Sequence, residues 1–181
     1  MRSLERIGDG VFVAKDEIVS IGDEETAFLK AEAERSKLRR ARICAHKSTE
    51  DPLHEMLIAI SSKSYIIPHK HINKSESFHI IEGEADVVVF DDDGTIVELI
   101  ELGARGDGKN YFYRLPEGMF HTLLVRTQTL VLHEVTNGPF IKERTVMGDF
   151  APPESKEAEV EIYMKKLLQE VAIFKRNSFD G

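Results

Sequence analysis

Between residues 54 and 135 the sequence divides into short segments rich in β-branched and aromatic residues, and this pattern constrains the fold most strongly. Turn-forming residues separate most of the segments, and Asp93-Gly94 between two β-branched runs is a strong hairpin signal. Many short strands at this spacing predict an all-β sandwich or barrel. The predicted strands are 54–60, 65–68, 77–81, 85–90, 95–101, 111–115, 120–125 and 130–135.

A hairpin and two helices are predicted on either side of these strands. Two β-prone runs between Gly10 and Ile21 predict a small hairpin, and helix-forming residues from 23 to about 40 predict a helix. A second helix is predicted from about 155 to 176, with an apolar stripe that packs on the barrel exterior or forms a homodimer interface. The stripe consists of Val160, Met164, Leu167, Val171 and Phe174.

Length and composition limit the remaining possibilities. We expect one domain over residues 1–181, with a barrel at about 54–150 and an N-terminal extension at 1–53. The net charge of -8 repels phosphate backbones, so no nucleic acid partner is expected, and the basic run 37–42 is interpreted as a solvated helix end. Cys44 is the single cysteine, which excludes an internal disulfide. No apolar run approaches the ~20 residues that span a bilayer, so we expect no membrane segment and a cytoplasmic protein.

Metal-ligating residue types cluster at two places in the predicted barrel. His69 and His71 are two residues apart, so on a strand their side chains project from the same face. Glu76 follows after a short connection and adds an anionic oxygen, and His121 opens a later strand after a turn. Three imidazoles and one carboxylate suit a borderline divalent metal, and we expect one such ion, either Fe, Mn, Ni, Co or Zn.

These residues lie in two motifs that resemble those of the cupin superfamily. The first reads HxHxxxxExxxxxxG and ends at Gly83, and the second, PxGxxH, ends at His121. The resemblance implies a mainly β double-stranded β-helix, or jelly-roll barrel, with the metal inside it. Lys63 and Val125 stand where a glycine and an asparagine are common in that superfamily. These two departures affect the expected turn geometry and the substrate side of the barrel, and neither position is a metal ligand.

A wider set of residues, between about 40 and 153, is similar to the WbuC-type cupin family. Members of that family are found among genes for surface polysaccharide synthesis and have no settled reaction, so the resemblance implies a cupin metalloprotein near sugar metabolism. Cys44 stands where an asparagine is expected. The matching residues are Arg42, His46, Pro68, His69, His71, Lys74, Glu76, Asp93, Gly94, Glu134, Gly138, Pro139 and Phe140.

Several further side chains are candidates for catalysis or substrate binding. If strands 120–125 and 130–135 pair as a hairpin, loop length decides whether His133 or Glu134 faces the cavity. His46 is a third candidate base. Arg42 and Lys74 could bind an anionic substrate group, because an arginine can hold a carboxylate or phosphate with two hydrogen bonds.

Three other residues are weighed in the same way. Tyr113 could line the cavity and bind substrate, although tyrosines on a strand are more often packing residues. Alternation from Glu76 turns His79 away from the ligands, and nothing near Cys44 in the sequence marks it as a nucleophile.

The sequence therefore predicts a metal-binding protein that acts on a small molecule. The first hypothesis is an enzyme that isomerises or epimerises a sugar-derived substrate, with the metal as a Lewis acid and a nearby base. A dioxygenase is the second, which zinc would exclude. The third is a non-catalytic protein that binds or senses a small molecule such as a carbohydrate, because a fold does not determine function.

Overall fold

The computed structural model describes residues 3–179, and it contains twelve strands and two α-helices within that range. A short 3-10 helix, Lys142–Arg144, precedes the last strand. The strands are β1 Leu4–Gly8, β2 Val11–Ala14, β3 Arg40–Cys44, β4 Leu53–Ser61, β5 His69–His71, β6 Glu76–Glu82, β7 Glu84–Phe90, β8 Ile96–Gly103, β9 Phe112–Leu115, β10 Phe120–Val125, β11 Thr129–Asn137 and β12 Thr145–Met147. The helices are α1 Asp23–Arg35 and α2 Glu157–Phe179.

The strands form two sheets that face each other as a jelly roll. Sheet A has the order β1-β2-β3-β4-β11-β6-β9, and sheet B has the order β12-β5-β10-β7-β8. Every pairing between these strands is antiparallel except that of β2 with β3. The core between the sheets includes Ile80, Val87, Leu123 and Leu132, all of which are buried. Because side chains alternate along a strand, each sheet presents one inner and one outer face.

Helix α1 covers the outer face of sheet A. Leu29 and Ala33 are fully buried there against Ile43, Leu57 and Val131. Burying one leucine side chain of this kind contributes roughly 1.5–3 kcal/mol to folding. Since α1 covers only the outer face, the inner face of the same strands stays available for the site.

Helix α2 packs on the outside of sheet B. Leu167 and Val171 are buried against Val88 and Leu124, so the apolar stripe predicted for this helix covers the barrel. Near the end of the helix, Lys175 forms an ion pair with the buried Asp86 at 3.1 Å. Within the described residues, neither helix is long and apolar enough to cross a bilayer.

The N-terminal region differs from its sequence prediction in two ways. The hairpin is formed by β1 and β2 over residues 4–14, and 18–21 is not a strand. Helix α1 ends at Arg35, so the basic run 37–42 is not a solvated helix end. The last residues of that run belong to β3, which covers residues 40–44. The reason is that Ala41 and Ile43 alternate with Arg42, which buries them beneath α1 and turns Arg42 to the inner face.

The predicted hairpin between strands 120–125 and 130–135 is wrong. Strand β10 pairs with β5 and β7 in sheet B, whereas β11 pairs with β4 and β6 in sheet A. The connection crosses between the sheets: the amide of Arg126 donates to Glu84 and the carbonyl of Gln128 accepts from Ser62. Two further elements differ from the prediction. Residues 65–68, predicted as a strand, are irregular, and the strand begins after them as β5. Strand β12 lies in a stretch that was predicted to be irregular.

Candidate metal centre

Three histidines converge on the inner face of sheet B. Strands β5 and β10 lie side by side with His69 opposite His121, and His71 follows two residues later on the same face as His69. One ring nitrogen from each of the three lies within 4.8 Å of the other two. The strand pairing therefore brings together two motifs that are about fifty residues apart in the sequence.

The carboxylate of Glu76 reaches this cluster from the opposite sheet. Glu76 is the first residue of β6, and it is buried. Its Oε1 lies 2.8 Å from His121 Nε2, and its Oε2 lies 3.2 Å from His71 Nε2. The four side chains thus meet between the two sheets, inside the barrel.

Hydrogen bonds at the other ring nitrogens orient the imidazoles. The Nδ1 of His69 donates to the Ile67 carbonyl at 2.8 Å, and the Nδ1 of His121 donates to the Met119 carbonyl at 3.0 Å. The Nδ1 of His71 lies 3.2 Å from Thr145 Oγ1 on β12. A carbonyl only accepts, so Nε2 is the ring nitrogen of His69 and of His121 that is left to bind a cation. Nitrogen and oxygen donors held in this way fit a divalent metal ion such as zinc, iron or nickel.

Burial and mutual contact set the charges of this cluster. Burial lowers the pKa of His69 to about 4, so it is neutral near pH 7 and can act as a ligand. Burial opposes ionisation of Glu76, but hydrogen bonds from His121 and His71 hold its pKa well below the usual range. Burial also opposes charge on His121, and the hydrogen bond with Glu76 outweighs it and raises its pKa. The carboxylate is therefore negative, and the two imidazoles that contact it stabilise that charge.

Tyr113 lies behind Glu76 and does not line the cavity. It is on β9, next to β6 in sheet A, and only 5% of it is exposed. Its hydroxyl donates to Glu76 Oε1 at 3.2 Å, and burial followed by the negative charge of Glu76 raises its pKa well above the usual value. The phenol stays protonated and positions the ligand carboxylate, so its place differs from the substrate contact that the sequence suggested.

A cavity of about 790 Å³ opens from the four converging side chains. Glu134 on β11 lines it, because Glu134 lies opposite Phe78, which faces inward. His133 projects from the other face of the strand, where its Nε2 lies 3.9 Å from Glu55 Oε1. Of the two alternatives that the sequence left open, Glu134 is therefore the cavity residue.

The surroundings of Glu134 favour its protonated form. Burial, and then the negative charge of Glu76, raise its pKa to about 7. Lys74 and Arg42 act in the opposite direction, as does His121, but more weakly. A carboxyl group with a pKa near neutrality can both accept and return a proton at physiological pH.

Arg42, Lys74 and His46 line the same cavity. Among residues 3–179 neither Arg42 nor Lys74 forms a salt bridge, so both cations can interact with a bound anion. His46 stacks on His54 with ring centroids 4.0 Å apart, and burial followed by the charge on His54 lowers the pKa of His46. His46 is thus neutral near pH 7.

Two residues that the sequence set aside have no role in the site, and two residues beside the site were missed. His79 is exposed and contacts Tyr111, as alternation predicts. Burial raises the pKa of Cys44, which gives this thiol little nucleophilic character at neutral pH. Sequence reasoning missed Thr145 because β12 has only three residues, and missed His54 because only the pairing of its strand turns it toward His46.

Two sheets in jelly-roll order enclose a histidine and carboxylate centre whose ligands stand at the positions of the two motifs. The chain has the cupin fold. It carries the two helices that the sequence predicts and an N-terminal hairpin at residues 4–14, earlier in the chain than predicted. The cluster of His69, His71 and His121 inside this fold could hold a metal ion.

The chain matches one family of unknown function over part of its length and is similar to several solved structures. Residues 21–102 match a family described as "Domain of unknown function (DUF6016)", and no curated protein sequence matches the chain. A crystal structure of a Shewanella oneidensis protein is similar at 9% identity over 57% of this chain and 70% of that one, with a TM-score of 0.49. Oxalate decarboxylase from Bacillus subtilis is 20% identical over 54% of this chain, which spans 24% of the decarboxylase, with a TM-score of 0.44. The cupin domain of Cnp3 from Schizosaccharomyces pombe is 14% identical over 55% of this chain and 64% of that one, with a TM-score of 0.43.

Proposed function

We propose that this cupin is a metal-dependent enzyme that moves a proton on a small anionic hydroxy or carbonyl compound, giving isomerisation or epimerisation. One observation carries the proposal: Glu134, a carboxyl group with a pKa of about 7, lines the same cavity as the metal-ligating cluster. The resemblance of the sequence to WbuC-type cupins supports a sugar-derived substrate.

His69, His71, Glu76 and His121 would hold one divalent cation. When bound, such an ion supplies Lewis acidity toward a carbonyl or hydroxyl oxygen. The chain supports this role through the Ile67 and Met119 carbonyls, which fix two of the imidazole tautomers, and through the Tyr113 hydroxyl on the carboxylate.

Glu134 is proposed as the base that removes the proton and returns it. In its ionised form it accepts a proton from a carbon or oxygen of the substrate, and in its protonated form it donates one. The negative charge of Glu76 raises its basicity, while the nearby cations Lys74 and Arg42 stabilise the ionised form. These opposing influences hold its pKa near neutrality, where a base transfers protons most effectively.

Arg42 and Lys74 are proposed to bind the anionic group of the substrate. Both line the cavity, and both lie close enough to influence the charge of Glu134. A guanidinium group binds a carboxylate or phosphate with two parallel hydrogen bonds, which fixes orientation as well as charge. The neutral His46 beside Arg42 offers a further hydrogen bond to a substrate hydroxyl.

Metal content tests the first part of the proposal. Protein purified from its native source and measured by elemental analysis is expected to contain one equivalent of a divalent metal. A protein without such a metal, and unable to bind zinc, iron, manganese, cobalt or nickel when they are added, would contradict it. A redox-active metal together with oxygen consumption would favour a dioxygenase.

Proton exchange tests the second part without knowledge of the product. Metal-loaded protein is incubated in D2O with sugar phosphates, nucleotide sugars and 2-oxo acids, and loss of C–H signal is followed by NMR. Exchange is expected for at least one compound and is expected to fall at least about 100-fold in Glu134→Gln, as for loss of a general base. Glu55→Gln, a change at a more exposed carboxylate on β4, is the matched control. Tight binding with no exchange at all would favour a non-catalytic binding protein.

A further inference from the structure

Sheet A extends beyond the sheet that faces it. It has seven strands where sheet B has five, and β2 and β3 carry the inner face of sheet A outward from the metal centre. The outer face of these strands is covered, because Phe12, Ala14 and Ile43 are buried under α1. Only the inner face is left open toward the cavity.

Strand register places a mostly apolar surface on that inner face, with Arg42 between Val11 and Ile58. Met56 lies opposite Glu134 on one side and opposite Cys44 on the other, and Cys44 lies opposite Val13. Three strand spacings of about 4.8 Å therefore separate Val13 from Glu134, or about 14 Å across the sheet. We call this surface the apolar shelf, and its residues are Val11, Val13, Cys44, Met56 and Ile58.

The apolar shelf and the metal centre line one and the same cavity of about 790 Å³. Further apolar side chains border its outer end: Ile7 is 59% exposed and Leu38 is 40% exposed. Met147, next to the metal end, is 50% exposed. A volume of this size exceeds what a small sugar or keto acid fills, since drug-sized ligands occupy sites of about 300–1,000 Å³.

The side chains at the two ends of the cavity indicate which parts of a ligand would lie at each end. The inner end holds the metal-ligating cluster and Glu134, and Arg42 and Lys74 lie beside Glu134. The outer end holds the apolar shelf, and charged side chains such as Glu5, Asp9 and Lys15 also line the cavity there. An occupant that matches this order has an anionic oxygen-bearing head and an apolar tail. Val11, Val13, Met56 and Ile58 offer little hydrogen bonding to a sugar hydroxyl, whereas a hydrocarbon tail can pack on them.

We propose that the substrate of this cupin is an amphipathic carboxylic acid, whose head lies at the metal centre and whose alkyl or aryl tail lies on the apolar shelf. The inference rests on the proposed function for the position of the head, and it assigns an apolar tail in place of a sugar-derived substrate. The continuity of the shelf with the metal cavity is what selects the substrate over a second protein as its occupant.

A chain-length series tests the proposal. Straight-chain carboxylates from acetate to decanoate are titrated into protein loaded with one equivalent of zinc, and affinity is measured by isothermal titration calorimetry. Affinity is expected to rise between about two- and fourfold per methylene from butanoate to octanoate, the upper value being that for full burial of a methylene. A flat series, or no binding by any of these acids, would overturn the proposal.

Variants locate the effect on the shelf. Val13→Asp is expected to abolish the dependence on chain length and to leave acetate binding within about twofold. Ile7→Asp, at an exposed position on the edge strand β1, is expected to weaken only the longest acids. Ile162→Asp, on the exposed face of α2, is the matched control and should bind like wild type. Equal chain-length dependence in wild type and both shelf-side variants would place the tail elsewhere and reject the assignment.

Light scattering on the same proteins tests whether a second copy of the chain occupies the shelf instead of a substrate tail. If wild type is a dimer that Val13→Asp or Ile7→Asp converts to monomers, a second copy of the chain occupies the shelf and the proposal is wrong. An unchanged oligomeric state together with the lost chain-length dependence supports it. Failure of the proposed function is distinguishable, because proton exchange is measured on compounds that have no apolar tail.

Discussion

The inner faces of the two sheets contribute different chemistry to one cavity. Sheet B supplies imidazoles whose orientation is fixed locally, since His69 and His121 each donate to a carbonyl two residues away. Sheet A supplies Glu76 and Glu134, whose charges depend on each other and on side chains from neighbouring strands. The comparison shows that ligand geometry here is a local property of short segments, whereas acid–base character is a property of the assembled sheet.

The largest expected effect is loss of a ligand from sheet B. His71→Ala removes an imidazole, so metal affinity should fall by more than the roughly 10- to 100-fold that changes around the ligands cost. Metal content after dialysis, measured by elemental analysis, checks this. His79→Ala, a histidine on the outside of sheet A, is the control and should retain its metal; a similar loss in both variants would argue against a specific centre.

The next largest effect is on the pH dependence of stability in metal-free protein, and it arises from Glu134 on sheet A. Burial and Glu76 raise the pKa of Glu134 from 4.5 to about 7, so the folded protein keeps a proton there that the unfolded chain loses. Wild type should therefore lose stability relative to Glu134→Gln as pH rises from about 4.5 to about 7, by at most about 3 kcal/mol. Urea unfolding at several pH values measures the difference between the two proteins. Parallel pH profiles would mean that Glu134 has an ordinary pKa.

A smaller effect is expected where sheet A supports a ligand. Tyr113→Phe removes the hydroxyl that donates to Glu76 and should weaken metal binding by about 10-fold or somewhat more. Competition with a chromophoric chelator gives the affinity, and melting of the metal-free protein reports any general loss of stability. Tyr111→Phe changes an exposed neighbour and should have no effect. An unchanged affinity in Tyr113→Phe would leave this tyrosine with a packing role alone.

The smallest effect is expected at the contact between β12 and His71. Thr145→Val keeps the size and β-branching of the side chain while removing the oxygen 3.2 Å from His71 Nδ1. Metal affinity should fall by about 10-fold or less, since the backbone contacts of the other two histidines remain. The same chelator competition applies, with Thr145→Ser expected to restore binding. If Thr145→Ser binds no better than Thr145→Val, the hydroxyl is not what orients the imidazole.

Sequence patterns were informative where structure is local. The predicted strand at 120–125 matches β10, and the two motifs identified the four side chains that meet in the barrel. Neither required knowledge of which strands pair, because alternation and turn residues act over a few positions. The cupin fold followed from the same local signals.

The remaining features depend on partners distant in the sequence. The cavity position of Glu134 follows from pairing with β4 and β6, and no loop-length argument could supply it. Tyr113 reaches Glu76 only because β9 lies beside β6. The three residues of β12 are too few to show a pattern. Strand β3 was hidden because it overlaps the basic run 37–42, and its residues Ala41 and Ile43 are buried against α1.

The shortness of β5 has a consequence for how the protein matures. This strand carries two metal-ligating histidines, and it pairs on one side with β10 and on the other with β12, which ends at Met147. A chain emerging from the ribosome therefore contains His69 and His71 long before it contains the segment that closes over them. We expect β5 to be paired on both sides only once that later segment is present.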